Sequence, residues 1–330
     1  MIRHRPVAAL LSAAVALLAA CSAATGTPRT IPRLPVFGAA RDVYDGDIGD
    51  PFVITQPGSA GHPESYVLFG TDDPPDHLPT ATSPDLAAWT HGPDAIPIDP
   101  VWADPDPGDR YTWAPAALAV SGHFVLYASV QSTALHRECI AAFTATTALG
   151  PYRDALGHPL VCQPAMGGSI DPSVVRDHGL HLVWKNDGNC CGLPVSLWEQ
   201  DLSTSGLALT GAPHRLLTSD EPWQGGIIEN PALLQASQGG WWLFYSGNKF
   251  DVAAYATGLA WCPSLTGPCR ETSTRPFLAG AGNQYSPGGL DLFTDAGGRR
   301  WAAFATWNRP ARRGRFYCCR SVQLALVLSS

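Results

Sequence analysis

Asp171-Pro172-Ser173-Val174-Val175, followed by His178-Gly179 and then Leu180-His181-Leu182-Val183-Trp184, reads as two short β-strands joined by a tight turn. The same pattern recurs along the chain. Asp50-Pro51-Phe52-Val53-Ile54 precedes Tyr66-Val67-Leu68-Phe69-Gly70. Pro115-Ala116-Ala117-Leu118 precedes His123-Phe124-Val125-Leu126-Tyr127. Glu229-Asn230-Pro231-Ala232-Leu233-Leu234 precedes Trp241-Trp242-Leu243-Phe244-Tyr245. Ser286-Pro287-Gly288-Gly289-Leu290 precedes Trp301-Ala302-Ala303-Phe304-Ala305. The prolines fall at 51, 115, 172, 231 and 287, so the steps are 64, 57, 59 and 56 residues. A repeat of that length, built from short β-rich runs, marks a radial array. Each proline suits the first residue of a strand, where no N–H donor is needed. Gly-containing turns follow, at Ser121-Gly122, His178-Gly179, Gly239-Gly240 and Gly297-Gly298. About four strands per unit give an all-β fold, a five-bladed β-propeller over residues 41–330. Two β-sandwiches would not explain a fivefold period.

The composition agrees. The chain has 330 residues, of which 45% are hydrophobic and only 15% charged. Its 33 Gly and 30 Pro punctuate it too often for a helical bundle. The net charge is −7, and the cations are Arg with only two Lys, Lys185 and Lys249, so no nucleic-acid partner is expected. A monomer is expected.

The N-terminus reads as an address. Arg3 and Arg5 precede an apolar run, Val7 to Ala20, that ends Leu18-Ala19-Ala20-Cys21. A charged start and a short apolar core mark a secretory signal. Small residues before Cys form a lipobox, so residues 1–21 are expected to be a lipoprotein signal, with Cys21 the lipid-anchored residue. Residues 22–40 are expected to be a flexible tether, and the folded part to be extracytoplasmic. Eight of the nine Cys then remain, and an even number in an exported chain suggests disulfides. Cys262–Cys269 and Cys139–Cys162 are the expected pairs. The neighbouring pairs Cys190-Cys191 and Cys318-Cys319 are then expected to bridge to one another. No CxxC occurs, which disfavours zinc on cysteine, and no histidine spacing argues for a metal.

In a propeller the innermost strands start around one axis. The residues before the repeated prolines are Asp50, Ala114, Asp171, Asn230 (after Glu229) and Ser286. Asp50, Asp171 and Glu229, from three blades, are thus expected to converge. Paired carboxylates suit cleavage of a glycosidic bond: one protonates the leaving oxygen, the other activates water or attacks. A third raises the acid's pKa through like-charge repulsion. Trp113 is a candidate sugar-stacking residue, with Trp102 and Trp223 as further candidates for the cleft. Trp241 and Trp242 are expected in the core, and Lys185 and Asn186, at the end of an apolar strand, at a solvated edge. Asp42–Asp50, with four Asp, is expected to be a solvated loop. No Gly-x-Ser-x-Gly is present for a serine hydrolase, and Gly297-Gly298 is a hairpin turn rather than a phosphate loop.

Six segments in order resemble glycoside hydrolase family 43, the five-bladed arabinanase, α-L-arabinofuranosidase and β-xylosidase group. They are Gly49-Asp50-Pro51-Phe52-Val53; Ser83-Pro84-Asp85-Leu86 with Trp89; Tyr111-Thr112-Trp113-Ala114-Pro115; Ala145-Thr146 with Leu149-Gly150-Pro151-Tyr152; Ser169-Ile170-Asp171-Pro172-Ser173-Val174; and Ile228-Glu229-Asn230-Pro231 with Phe244-Tyr245-Ser246. The resemblance implies an inverting glycosidase on arabinofuranose- or xylose-containing glycans. It implies Asp50 as general base, Glu229 as general acid and Asp171 as the residue that tunes and positions the acid. Two departures stand out. Asn230 occupies the place of a Gly after the acid. Pro287-Gly288-Gly289 stands where many relatives carry a metal-associated His after a Gly. No cofactor is required on this reading, and a structural calcium is not indicated. A different class, a non-catalytic carbohydrate-binding propeller lipoprotein, fits those departures.

Overall fold

The same backbone irregularity recurs in or just before the inner strand of every blade. The residue before each repeated proline has a left-handed backbone: φ is 47° at Asp50, 45° at Ala114, 57° at Asp171, 49° at Asn230 and 51° at Ser286. In four of the five the ladder register slips at that point, between Trp113 and Ala116, Ile170 and Ser173, Glu229 and Ala232, and Tyr285 and Gly288. These are β-bulges. The prolines at 115, 172, 231 and 287 therefore lie within their strands, where the bulge removes the need for a ladder N–H, and not at a first residue.

The structure is a computed structural model that describes residues 1, 32–56, 58, 64–71, 75–104, 112–316 and 319–330. The signal segment, Cys21, most of the tether, Tyr111 and Cys318 lie outside the described residues. Five antiparallel sheets follow one another along the chain. Their innermost strands are Phe52–Gln56, Thr112–Val120, Ser169–Arg176, Ile228–Gln235 and Tyr285–Thr294. Each packs beside the next and the last beside the first, which closes a five-bladed propeller. The fifth sheet is completed by the chain's start. Arg41–Tyr44 and Val36–Phe37 both pair with the last strand, Arg320–Ser329. The folded unit thus begins before residue 41, and Val36–Phe37 belong to the sheet rather than to a tether.

Blades lie face to face, so their middle strands are apolar on both sides. All seven residues of Trp241–Gly247 are buried, Trp241 and Trp242 among them. Five apolar clusters fill the five interblade spaces. Phe69 and Phe143 join the first and second blades, Tyr127 and Trp184 the second and third, Leu197 and Leu243 the third and fourth. Trp242 and Phe304 join the fourth and fifth, and Leu68 and Trp301 close the ring. At the turns Ser121-Gly122 and Gly239-Gly240 both residues have positive φ, the requirement of a tight hairpin.

Cys139–Cys162 and Cys262–Cys269 are paired as expected. Cys190 bonds its neighbour Cys191 instead of bridging to Cys318-Cys319. Cys319 is also disulfide-bonded, and its partner is outside the described residues.

Below the bulges, Asp291 on the fifth inner strand faces the axial channel lined by Pro51, Pro115, Pro172 and Pro231. Its Oδ2 is shut from solvent with no hydrogen-bond partner. Burial pushes this carboxyl up to about 8, whereas in an unfolded chain it titrates near about 4. Between those values the folded chain holds a proton that the unfolded chain releases, so this residue's contribution to stability falls as pH rises. Asp291→Asn should therefore match the wild type near pH ~4 and exceed it increasingly towards pH ~8. Denaturant midpoints at the two pH values check this; a gap that does not widen with pH would contradict it.

Candidate active site

A bulge sets two consecutive residues on one side of a strand, where regular pleating would alternate them. That is why both members of a pair reach the mouth of the axis at Ile170 and Asp171 and at Glu229 and Asn230; Gly49 and Asp50, just before the first inner strand, join them there. They line a cavity of about 550 Å³ together with Trp113. The structure thus brings together all four residues singled out from sequence, Asp50, Asp171, Glu229 and Trp113. Trp102 instead packs against the core between the first two blades and donates to Asp154 (3.2 Å). Trp223 stacks on Tyr245 against the core between the third and fourth blades. Neither is among the residues lining the cavity.

The amides at the bulges are taken by the preceding blade. Thr71 Oγ1 accepts the Ala114 N–H (3.1 Å) and donates to Asp50 Oδ2. Ser129 Oγ accepts the Asp171 N–H at 3.1 Å, and Asp171 Oδ2 accepts the Asn230 N–H at 3.1 Å. Ser246 Oγ accepts the Gly289 N–H at 2.9 Å. One candidate carboxylate, Asp171, is therefore also the clasp between the third and fourth blades.

Glu229 is held from two sides. Lys185 Nζ donates to Oε2 at 3.0 Å, and the Tyr255 hydroxyl lies 2.9 Å from Oε1 and 3.2 Å from Asn230 Oδ1. Lys185 is 1% exposed and also lies 3.9 Å from Asp187 Oδ1. The solvated edge expected for Lys185 and Asn186 is thus corrected: the end of their strand is roofed by the loop that follows. Asn186 builds that roof. Its Nδ2 donates to Met166 and Pro194 carbonyls, and its Oδ1 accepts from the Ser196 amide and Trp198 Nε1. The loop carries Asp187, Asn189 and Cys190 to the cavity wall.

The Asp42–Asp50 loop is likewise not simply solvated. Asp47 binds Arg320 through Nε (3.0 Å), and Asp45 accepts from Asn308 Nδ2 (2.9 Å). Arg320 lines the cavity and lies over the Trp307 ring at 5.4 Å.

Burial raises the pKa of Asp50, helped by Glu229 and opposed by its Thr71 hydrogen bond and by Arg320. Burial raises Asp171 well above the ordinary range; Lys185 opposes this, and the charges of Glu229 and Asp50 add to it. Burial raises Asp187 as well, against the pull of Lys185. For Lys185 burial disfavours the charge, but Glu229, Asp171 and Asp187 outweigh it and its pKa rises. The site is a buried cluster of acids around one shared ammonium.

At the fifth blade, Gly288 abuts Tyr255, and a side chain on Gly289 would begin 2.6 Å from Asp50 Oδ1. These positions supply no imidazole, so the residues present do not fit the His-associated metal that many relatives carry there.

Residues 41–327 match the profile described as "Glycosyl hydrolases family 43". The chain belongs to glycosyl hydrolase family 43. It is therefore a glycoside hydrolase by family, and solved structures agree in fold. A thermostable family-43 glycoside hydrolase superposes with TM-score 0.71 at 21% identity, over 88% of this chain and 91% of that one. An endo-1,4-beta-xylanase from Bacteroides thetaiotaomicron VPI-5482 gives 0.68 at 21%, over 87% and 92%. An endo-arabinase from the same organism gives 0.67 at 16%, over 88% and 98%. The comparison with curated proteins gives no match.

Lys185, Tyr255 and Thr71 of this family 43 site were not found from sequence. Lys185 did carry a signal: it is one of two lysines in the chain and follows the apolar run Leu180–Trp184. Removing one member of a buried ion pair strands the other, so Lys185→Met should destabilise by about 3 kcal/mol. Lys185→Met with Glu229→Gln should recover part of that loss, because Glu229 then carries no uncompensated charge while Asp171 and Asp187 still lack the ammonium. Urea unfolding of the two single variants and the double variant measures the coupling, and an additive double variant would contradict it.

Proposed function

We propose that this family 43 chain is an inverting glycosidase acting on arabinofuranose- or xylose-containing glycans. Asp50 acts as general base, Glu229 as general acid, and Asp171 tunes and positions the acid. The observation that carries this reading is the meeting of Asp50, Asp171 and Glu229, from three different blades, in one cavity. Inversion needs the base to activate a water on the face opposite the leaving group. Asp50 has one oxygen engaged by Thr71 and faces the cavity, as that role demands. Asp171 is anchored by its own amide on Ser129 and by its Oδ2 on the Asn230 amide, so its carboxyl group stays in place beside Glu229. Trp113, at the first bulge position of the second blade, offers a ring face to a sugar. The substrate class is supported by the fold shared with an endo-1,4-beta-xylanase and an endo-arabinase.

The same reading has the chain exported and lipid-anchored through Cys21, where it works as a monomer. The disulfides Cys139–Cys162, Cys190–Cys191 and Cys262–Cys269 are of the kind that an oxidising compartment sustains.

Reducing-sugar release from arabinans, xylans and bacterial wall arabinogalactan tests the proposal. Asp50→Asn and Glu229→Gln should each lower kcat by about 10²- to 10⁴-fold, the usual worth of a positioned acid or base. NMR of the first product should show the anomeric configuration opposite to that of the substrate. Release undiminished in Asp50→Asn would refute the base assignment. Glycan binding without turnover by the folded wild type would replace the enzyme reading with a binding one.

A further inference from the structure

Away from the cavity, four side chains share one face of the third blade. His181, on Leu180–Asn186, stands in register with Asp201 on Ser196–Leu202. Glu199, two residues before Asp201 and so on the same face, stands in register with His214 on Leu209–Thr218. His181 Nδ1 lies 2.9 Å from Glu199 Oε1 and 2.9 Å from Asp201 Oδ1.

The other ring nitrogen settles what Nδ1 presents. Nε2 lies 3.1 Å from the Asp177 carbonyl oxygen, which can only accept. In the neutral imidazole the single proton is then on Nε2, and the Nδ1 lone pair points towards two carboxylates. Three electron-rich atoms this close need a positive centre among them. A second ring proton would serve the Glu199 contact, which has hydrogen-bond geometry, and would leave Asp201 without one. A second observation points the same way. Glu199 is fully buried, yet its Oε2 has no hydrogen-bond partner. A buried carboxylate oxygen left bare is costly unless something positive binds it.

We propose that His181, Glu199 and Asp201 hold a divalent transition-metal ion, with zinc the best chemical match. One imidazole and two carboxylates are ligands that zinc takes, whereas calcium and magnesium prefer oxygen alone. The Nε2–H bond to the Asp177 carbonyl is the outer partner that a metal-bound histidine usually has. Asp201 is 58% exposed, which provides an entry path. His214 stands on the same face, opposite Glu199. None of these residues lines the cavity, so the ion is structural. It cross-links the two middle strands of the third blade, one of which also carries Lys185.

Calorimetric titration of the EDTA-treated chain with zinc chloride should give one site of micromolar affinity or tighter, together with a rise in Tm. Cobalt(II) should give the visible d–d band of a tetrahedral site. Asp201→Asn changes an exposed side chain and should leave the fold intact while weakening zinc binding by about tenfold or more. His181→Ala should abolish the site. Equal zinc affinity in the wild type and both variants would overturn the proposal, because the ion would then be elsewhere among the histidines. Absence of binding would also overturn it, and NMR signals from both His181 ring N–H groups at neutral pH would identify a protonated imidazole as the positive centre.

Discussion

Everything at the mouth of this propeller depends on one backbone event repeated five times, a left-handed residue before a proline in, or just before, the innermost strand. A left-handed non-glycine residue costs about 1–3 kcal/mol and persists only where its surroundings impose it. Here the surroundings are the neighbouring blades. Thr71, Ser129, Asp171 and Ser246 each reach across a blade boundary to accept an amide at or near the next bulge. The five apolar clusters hold those boundaries shut. Ring closure by Arg41–Tyr44 and Val36–Phe37 on the last strand keeps the blades from parting. The site's geometry is therefore a property of the whole ring.

The bulge also explains how one repeat yields an asymmetric site. Three blades bring both residues of the left-handed step to the cavity, Gly49-Asp50, Ile170-Asp171 and Glu229-Asn230, and the other two bring one each, Trp113 and Ser286. Asp and Asn tolerate the left-handed region best, and three of the five positions use them. Asp50 and Asp171 thus combine a conformational fit with a charge. Glu229 stands one position earlier, and its longer side chain reaches Lys185 and Tyr255. Where no side chain can be accommodated the repeat turns to glycine: Gly289 lies against Asp50, and Gly49 leaves room for the Arg320 guanidinium.

The period and the convergence of the acids were legible because both are written in consecutive residues: a proline, its predecessor and the apolar strand that follows. What was not legible depends on which residues meet across strands. Lys185 looked like an edge residue because a strand's end gives no sign of the loop that roofs it, here the loop tied down by Asn186. The Cys190–Cys191 bond was missed because four cysteines in two adjacent pairs admit several connectivities, and spacing alone does not choose among them. His181, Glu199 and Asp201 are 18 and 2 residues apart along the chain, a spacing that resembles no metal motif. Only the register of the two strands makes them neighbours.

The charges around the cavity suggest why the acids are gathered so tightly. Four carboxylates line it, Asp50, Asp171, Asp187 and Glu229, against the two cations Lys185 and Arg320. Arg320 is already engaged by Asp47, a residue outside that lining, so its charge is partly offset before it reaches the cavity. Lys185 faces Glu229, Asp171 and Asp187 together, with Arg137 also acting on Asp187. Burial raises Asp50, Asp171 and Asp187 because water is not there to share the charge. With one lysine among three acids, the cluster is at ease when it retains a proton. Asp50 has Thr71 and Arg320 opposing the effect of its burial, whereas Glu229, Asp171 and Asp187 converge on the Lys185 ammonium. The carboxylates of one cavity thus differ in the cations and hydrogen-bond donors around them rather than in residue type.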